Sequence, residues 1–122
     1  MAGVRRKARI AALQALYELD CTQHKVEAAL AHLASEEALS QEAIGFSEEL
    51  VQGVLQNKSK LDNLIKHFAP AFPIEQMSSI DRNILRIAIF EILFSDTPAK
   101  VAINEAVELA KGFGSDSSPR LI

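Results

Sequence analysis

A chain of 122 residues with 48% hydrophobic and 24% charged side chains has the balance of an ordinary globular protein, long enough to bury about two thirds of its unfolded surface without metals or disulfides. No Trp, one Tyr and five Gly argue against an aromatic-rich β-sandwich, and a single Cys excludes an internal disulfide. The net charge of -3 hides an asymmetry: Arg5, Arg6, Lys7 and Arg9 bring four of the 13 basic residues into the first ten positions, leaving nine against 16 acidic residues elsewhere. A basic patch on an acidic body gathers a phosphate chain at one place and repels it from the rest, so nucleic acid is a candidate ligand beside the plainer alternative of a solvated helix end. The basic start lacks the apolar run and cleavage site of a signal peptide, and the expected home is the cytoplasm.

Residues 4–20 set Ala8, Ala12, Leu13, Leu16 and Tyr17 at helical spacing. Arginines at the start of that helix oppose its macrodipole, so local stability does not account for them and a ligand would. Tyr17 either stacks on a base or packs in the core, and a lone tyrosine on an apolar stripe favours packing. Val26, Ala29, Leu30 and Leu33 mark a short second helix, and Ser35 to Ser40 a polar connection. Phe46, Leu50, Val54 and Leu55 trace a third helix as far as Asn57. Ser59, three residues before Asp62, predicts an N-cap for a fourth, with Leu61, Leu64, Ile65 and Phe68 as its face. Pro70 and Pro73 end that unit, and Phe72, Ile74 and Met77 can plug into the core.

The stretch Ser78 to Phe94 is the expected centre. Ser78 predicts a cap whose first turn Asp81 closes, and Ile84, Leu85, Ile87, Ala88, Ile89 and Ile92 wrap apolar surface nearly all round, which predicts a helix buried on every side. Arg82 and Arg86, one turn apart, either clamp a phosphate or pair with Asp81 and Glu91; the structural role is favoured. After a turn at Ser95–Pro98, a last helix buries Ala102, Ala106, Leu109, Ala110 and Phe113, with Ile103 and Val107 beside them. Asn104 and Glu105 fall in its first turn, and Gly112 or Gly114 can stop it in the left-handed conformation.

Gly-rich phosphate loops, paired cysteines and Gly-x-Ser-x-Gly elbows are absent from the sequence. His32 with Glu36 offers two ligands where a metal site needs more, and Cys21 reads as a structural residue at a helix end. No catalytic residue, metal or cofactor is assigned.

Three blocks carry a resemblance to a known family. They are Arg5-Arg6-Lys7-Ala8-Arg9 with Ala12-Leu13-Gln14-Ala15-Leu16-Tyr17; Ile80-Asp81-Arg82 with Ile84-Leu85-Arg86-Ile87-Ala88 and Glu91-Ile92-Leu93; and Pro98 with Lys100 to Lys111 and Phe113-Gly114. Together they resemble the NusB family of bacterial transcription antitermination factors from Arg5 to about Arg120. The resemblance implies an all-α fold of two packed helical bundles, six or seven helices in one domain spanning 1–122, and a non-catalytic role. It implies binding of the boxA element of nascent ribosomal RNA together with ribosomal protein S10, within an RNA polymerase antitermination complex. Arg5, Arg6, Lys7 and Arg9 would contact RNA phosphates, Tyr17 would lie on or near the RNA surface, and Asp81 would belong to the surface shared with S10. The family usually continues past Ser118-Pro119-Arg120 into an apolar final helix. Here Leu121-Ile122 ends the sequence, which leads to the expectation of apolar surface on the last bundle, covered by a second copy in a homodimer, left as a groove, or tolerated at a cost in stability. Two other readings compete: the RNA-binding N-terminal part of ribosomal RNA cytosine methyltransferases, disfavoured because no stretch remains for a methyl-donor domain, and a helical protein-interaction module.

Overall fold

Alanine and leucine recurring every three or four residues give each segment one face that water disfavours, and helices form where two such faces meet. The computed structural model describes residues 2–22, 25–35, 39–71 and 73–114. Among these are six α-helices, one 3-10 turn and no strand: α1 (Ala2–Cys21), α2 (Val26–Ala34), α3 (Gln41–Gln56), α4 (Lys58–Phe68), the 3-10 turn Ile74–Gln76, α5 (Ser79–Phe94) and α6 (Ala99–Phe113). They divide into two compact units, Met1–Gln52 and Gly53–Ile122.

In the first unit α1 packs against α2. Ala8, Ala11, Ala12, Leu13, Ala15 and Leu16 are buried, together with Ala29 of α2 and Ala43, Phe46, Leu50 and Val51 of α3. Ser40 caps α3, its Oγ accepting the Ala43 N–H at 3.1 Å. Tyr17, expected on the buried stripe, stands exposed. Leu30 and Leu33 have side chains outside the description, as does Phe72 altogether.

The second unit is built around α5, which packs on both α4 and α6. The Ser78 cap forms as expected, its Oγ accepting the Asp81 N–H at 3.1 Å. Ser59 does not cap α4: that helix starts at Lys58, two residues earlier than a Ser59 cap would start it, and its N-cap Asn57 makes no capping bond. The Asn57 amide instead donates to the Gly53 carbonyl at 2.9 Å, closing the end of α3, while Asp62 is spent on Arg86.

The expectation that α5 is buried all round is corrected. Ile84, Ile87, Ala88 and Phe90 are buried, Leu85 and Ile89 are half-buried, and Ile92 is exposed. The reason is that α5 turns polar residues inward beside the apolar ones: Asp81, Asn83, Arg86 and Glu91 are all buried. Burying a charge is costly unless it is paired. Arg86 meets both oxygens of Asp62, Nε to Oδ1 at 2.7 Å and Nη2 to Oδ2 at 3.0 Å, and its Nη1 donates to Asn83 Oδ1 at 3.1 Å. Asn83 in turn donates to the Ser79 carbonyl at 2.8 Å. Arg86 thus has a carboxylate partner that the sequence did not suggest, Asp62 on α4. Glu91 accepts the Thr97 hydroxyl at 3.0 Å, and the Ser95 hydroxyl donates to the Glu91 carbonyl at 2.9 Å, so one acid pins the turn between α5 and α6.

Ala102, Ala106, Leu109 and Ala110 of α6 are buried as expected, but Phe113 at the helix end is exposed, as is Ile103. Pro98 stands at the N-cap, which moves Asn104 and Glu105 into the second turn. Gly112 lies inside the helix and Gly114 closes it with φ -91, so neither takes the left-handed conformation.

One glycine is required by packing. A Cβ at Gly53 would overlap the ring of Phe90, whereas one at Gly45 meets nothing. Gly53→Ala should therefore destabilise the chain by about 1–3 kcal/mol through overpacking. Gly45→Ala, on the same helix, should stabilise it by about 0.5–1 kcal/mol. Urea denaturation of the two variants beside the wild type measures both signs.

Candidate nucleic-acid interface

The basic cluster lies on the first two turns of α1, where successive residues step by about 100° around the axis. That step sorts it into two sides. Arg6 and Lys7 share a stripe with Ile10, Gln14 and Tyr17, one residue per turn. Arg5 and Arg9, one turn apart, lie on a second side and meet α3: the Arg5 guanidinium carbon is 4.5 Å from the centroid of the Phe46 ring, and that of Arg9 is 5.6 Å away. Arg5, Arg6 and Lys7 are exposed. Arg9, grouped with them by sequence, keeps only 3% of its surface in water.

Tyr17 is 44% exposed, and the ten residues from Lys7 span about 15 Å along the helix. A tyrosine so exposed presents a ring to solvent on the side that carries Arg6 and Lys7. The packing role favoured from sequence does not hold, because the neighbouring Leu13 and Leu16 already fill the buried face. Cys21, on the last turn of α1, is exposed and free, and is not a core residue.

The electrostatics of this helix start are unfavourable in isolation. Cations at the N-terminus oppose the macrodipole, and like charges at i,i+4 such as Arg5 and Arg9 repel by a few tenths of a kcal/mol, on the order of 0.2–0.5. A ring face beneath two guanidiniums offsets part of that cost, since cation–π contacts contribute about 0.5–2 kcal/mol depending on desolvation. The sequence marks Phe46 only as a residue of an apolar face. A helical period places an aromatic on a buried face, but nothing in it says which side chain of another helix will rest on the ring.

Asp81 belongs to the other unit, in the first turn of α5. It is buried, and among the described residues its Oδ1 has no hydrogen-bond partner. Nearby in sequence, Glu75 of the 3-10 turn meets Lys66 of α4 at 3.0 Å. A backbone hydrogen bond at Glu75 itself and then the Lys66 ammonium hold its carboxyl below the ordinary range. Among the described residues there is no cluster of His, Cys, Asp and Glu suited to a metal, and no helix is long and apolar enough to cross a membrane.

These features define an all-helical protein that presents a cationic helix end with an aromatic ring further along the same side. The chain belongs to the NusB family, whose sequence model matches residues 6–122. It is 52% identical over 123 residues to the transcription antitermination protein NusB of Dehalococcoides mccartyi strain CBDB1, covering 100% of this chain and 86% of that protein. The NusB of Chloroflexus aggregans is 45% identical over 125 residues, covering 100% of this chain and 83% of the relative. Among solved structures, T. maritima NusB matches with a TM-score of 0.85 at 31% identity, over 95% of this chain and 82% of that one. A crystal structure of antitermination factors NusB and NusE in complex with double-stranded RNA shares the fold at a TM-score of 0.86 and 20% identity, over 98% of this chain and 90% of that one.

If Tyr17 is a surface residue, Tyr17→Ala should change stability by no more than about 0.5 kcal/mol. Leu16→Ala, one position away and buried, should cost about 2–5 kcal/mol. Thermal melts of the pair provide the comparison.

Proposed function

We propose that this chain is a cytoplasmic transcription antitermination factor that binds a boxA-type single-stranded RNA together with ribosomal protein S10, as part of an RNA polymerase antitermination complex. The observation that carries the reading is the shared side of α1, where exposed Arg6 and Lys7 stand in line with exposed Tyr17 and Arg5 stands next to them. Family membership supports it: the relatives above are named transcription antitermination proteins, and one NusB has been crystallised with NusE and RNA.

The mechanism is assembly. Cationic side chains hold phosphates and supply affinity without regard to sequence, while an aromatic ring selects unpaired bases, because only an unstacked base offers it a free face. A base stacked on such a ring contributes about 1–3 kcal/mol. Three exposed cations, Arg5, Arg6 and Lys7, are the phosphate contacts in this reading. Arg9, almost wholly buried, acts from beneath them. Asp81, buried in the first turn of α5, is the proposed contribution of the second unit to the surface shared with S10 on the strength of the family likeness.

Titrating fluorescent boxA-type RNA at several salt concentrations tests the first part. Three phosphates neutralised on a single strand give a slope of log affinity against log salt of about -2, and Arg6→Ala or Lys7→Ala should each flatten it by about 0.7. Tyr17→Ala should lower affinity with the slope unchanged. Lys60→Ala, on α4, serves as the control; a slope that responds to Lys60 and ignores Arg6 and Lys7 would move the RNA to another face.

The S10 assignment has its own readout. Asp81→Asn should reduce the gain in RNA affinity that S10 brings and leave binding of RNA alone as it was. An undiminished gain removes Asp81 from that surface.

A further inference from the structure

Phe46 is a buried residue of α3 with the guanidiniums of Arg5 and Arg9 over one ring, at 4.5 and 5.6 Å from its centroid. We propose that Phe46 is a positioning residue of the RNA interface, its ring holding the Arg5 guanidinium in place before RNA arrives. This rests on the reading of the α1 start as the RNA-binding surface and assigns part of its affinity to a residue that touches no RNA.

The argument is one of rotamers and geometry. An arginine side chain has many conformations in water, and ordering it on binding reduces affinity. A guanidinium carries five N–H donors, and cation–π attraction to a ring orders it without needing a hydrogen-bond acceptor. Arg5, resting on Phe46, is therefore restrained in a way that does not itself consume its donors. Arg9, buried on the same ring, fills the inner position, so that Arg5 is the member of the pair that reaches solvent. Both arginines have further interactions in the structure; the ring is a contact they share, and it joins both to α3.

Affinity and salt slope separate this role from charge. Phe46→Leu keeps an apolar side chain of similar burial and every positive charge, so the slope of log affinity against log salt should be unchanged. The dissociation constant should rise about 2- to 10-fold, the range expected when one rotamer-rich side chain must be ordered by the ligand. Phe46→Tyr, which restores the ring, should restore affinity. In an Arg5→Ala background the further loss on Phe46→Leu should fall below about 2-fold, because the side chain being positioned is gone. A merely structural Phe46 would give the same loss with or without Arg5.

Wild-type affinity in Phe46→Leu, an unchanged penalty in the Arg5→Ala background, or failure of Phe46→Tyr to rescue would each overturn the proposal. If Phe46→Leu does not fold, Arg5→Lys decides: it keeps the charge and the core, loses the planar group, and should weaken binding with the slope intact, whereas wild-type affinity overturns the proposal. Lys7→Ala distinguishes this failure from that of the parent reading. Weakened binding in Lys7→Ala beside normal binding in Phe46→Leu removes only the role of Phe46, and wild-type binding in Arg6→Ala and Lys7→Ala removes the RNA interface and the positioning role together.

Discussion

The Arg86–Asp62 pair sets much of the second unit. A guanidinium with 5% of its surface exposed is tolerable inside a protein only with a carboxylate in register and its remaining donors engaged. Asp62 supplies both oxygens from α4, and Asn83 supplies a third acceptor from α5 itself. This requirement fixes the rotation of α5 about its axis: the side carrying Asn83, Arg86 and Phe90 must face inward. Glu91 adds a second constraint at the other end, where Thr97 donates to its buried carboxylate and holds the turn into α6. With the rotation so fixed, Leu85 and Ile89 are left half in water and Ile92 exposed. The apolar residues of this helix are numerous enough to cover every side, and it is the polar ones that choose which side is buried.

How far the sequence discloses this architecture depends on the range of the interaction. Helices α1 to α6 are visible because their determinants are local: the Ser78 cap, the prolines after Phe68, and the spacing of Ala8, Ala12, Leu13 and Leu16. The orientation of α5 is not visible, because Arg86 finds its partner 24 residues away, while the acids of its own helix, Asp81 and Glu91, each lie five residues off, outside the i,i+3 and i,i+4 spacings that meet on a helix. The same limit explains Ser59, whose distance to Asp62 imitates a capping pair although Asp62 is committed to a buried bridge. In the candidate interface, the cationic run and the tyrosine are plain in the sequence. The burial of Arg9 and the part played by Phe46 are not, since both depend on how α3 meets α1.

Charge is distributed differently in the two units. In the second, the buried Arg86 guanidinium is paired with Asp62, and the ion pair Lys66–Glu75 ties the 3-10 turn to α4 at the surface. In the first, cations of one sign are crowded at a helix end where the backbone already carries partial positive charge. Such crowding is tolerated when part of it rests on an aromatic face, and it leaves a potential that an approaching polyanion lowers. Both arrangements follow from named side chains: Arg86 with Asp62 in one unit, Arg5 and Arg9 with Phe46 in the other.

Cys21 gives this arrangement a practical consequence. It is the chain's one cysteine, exposed on the last turn of α1 and four residues beyond Tyr17, hence about 6 Å further along the same side of the helix. A thiol-reactive dye attached there needs no engineered cysteine and disturbs no core side chain, so the native chain already carries an attachment point from which occupancy of that helix face can be watched by fluorescence.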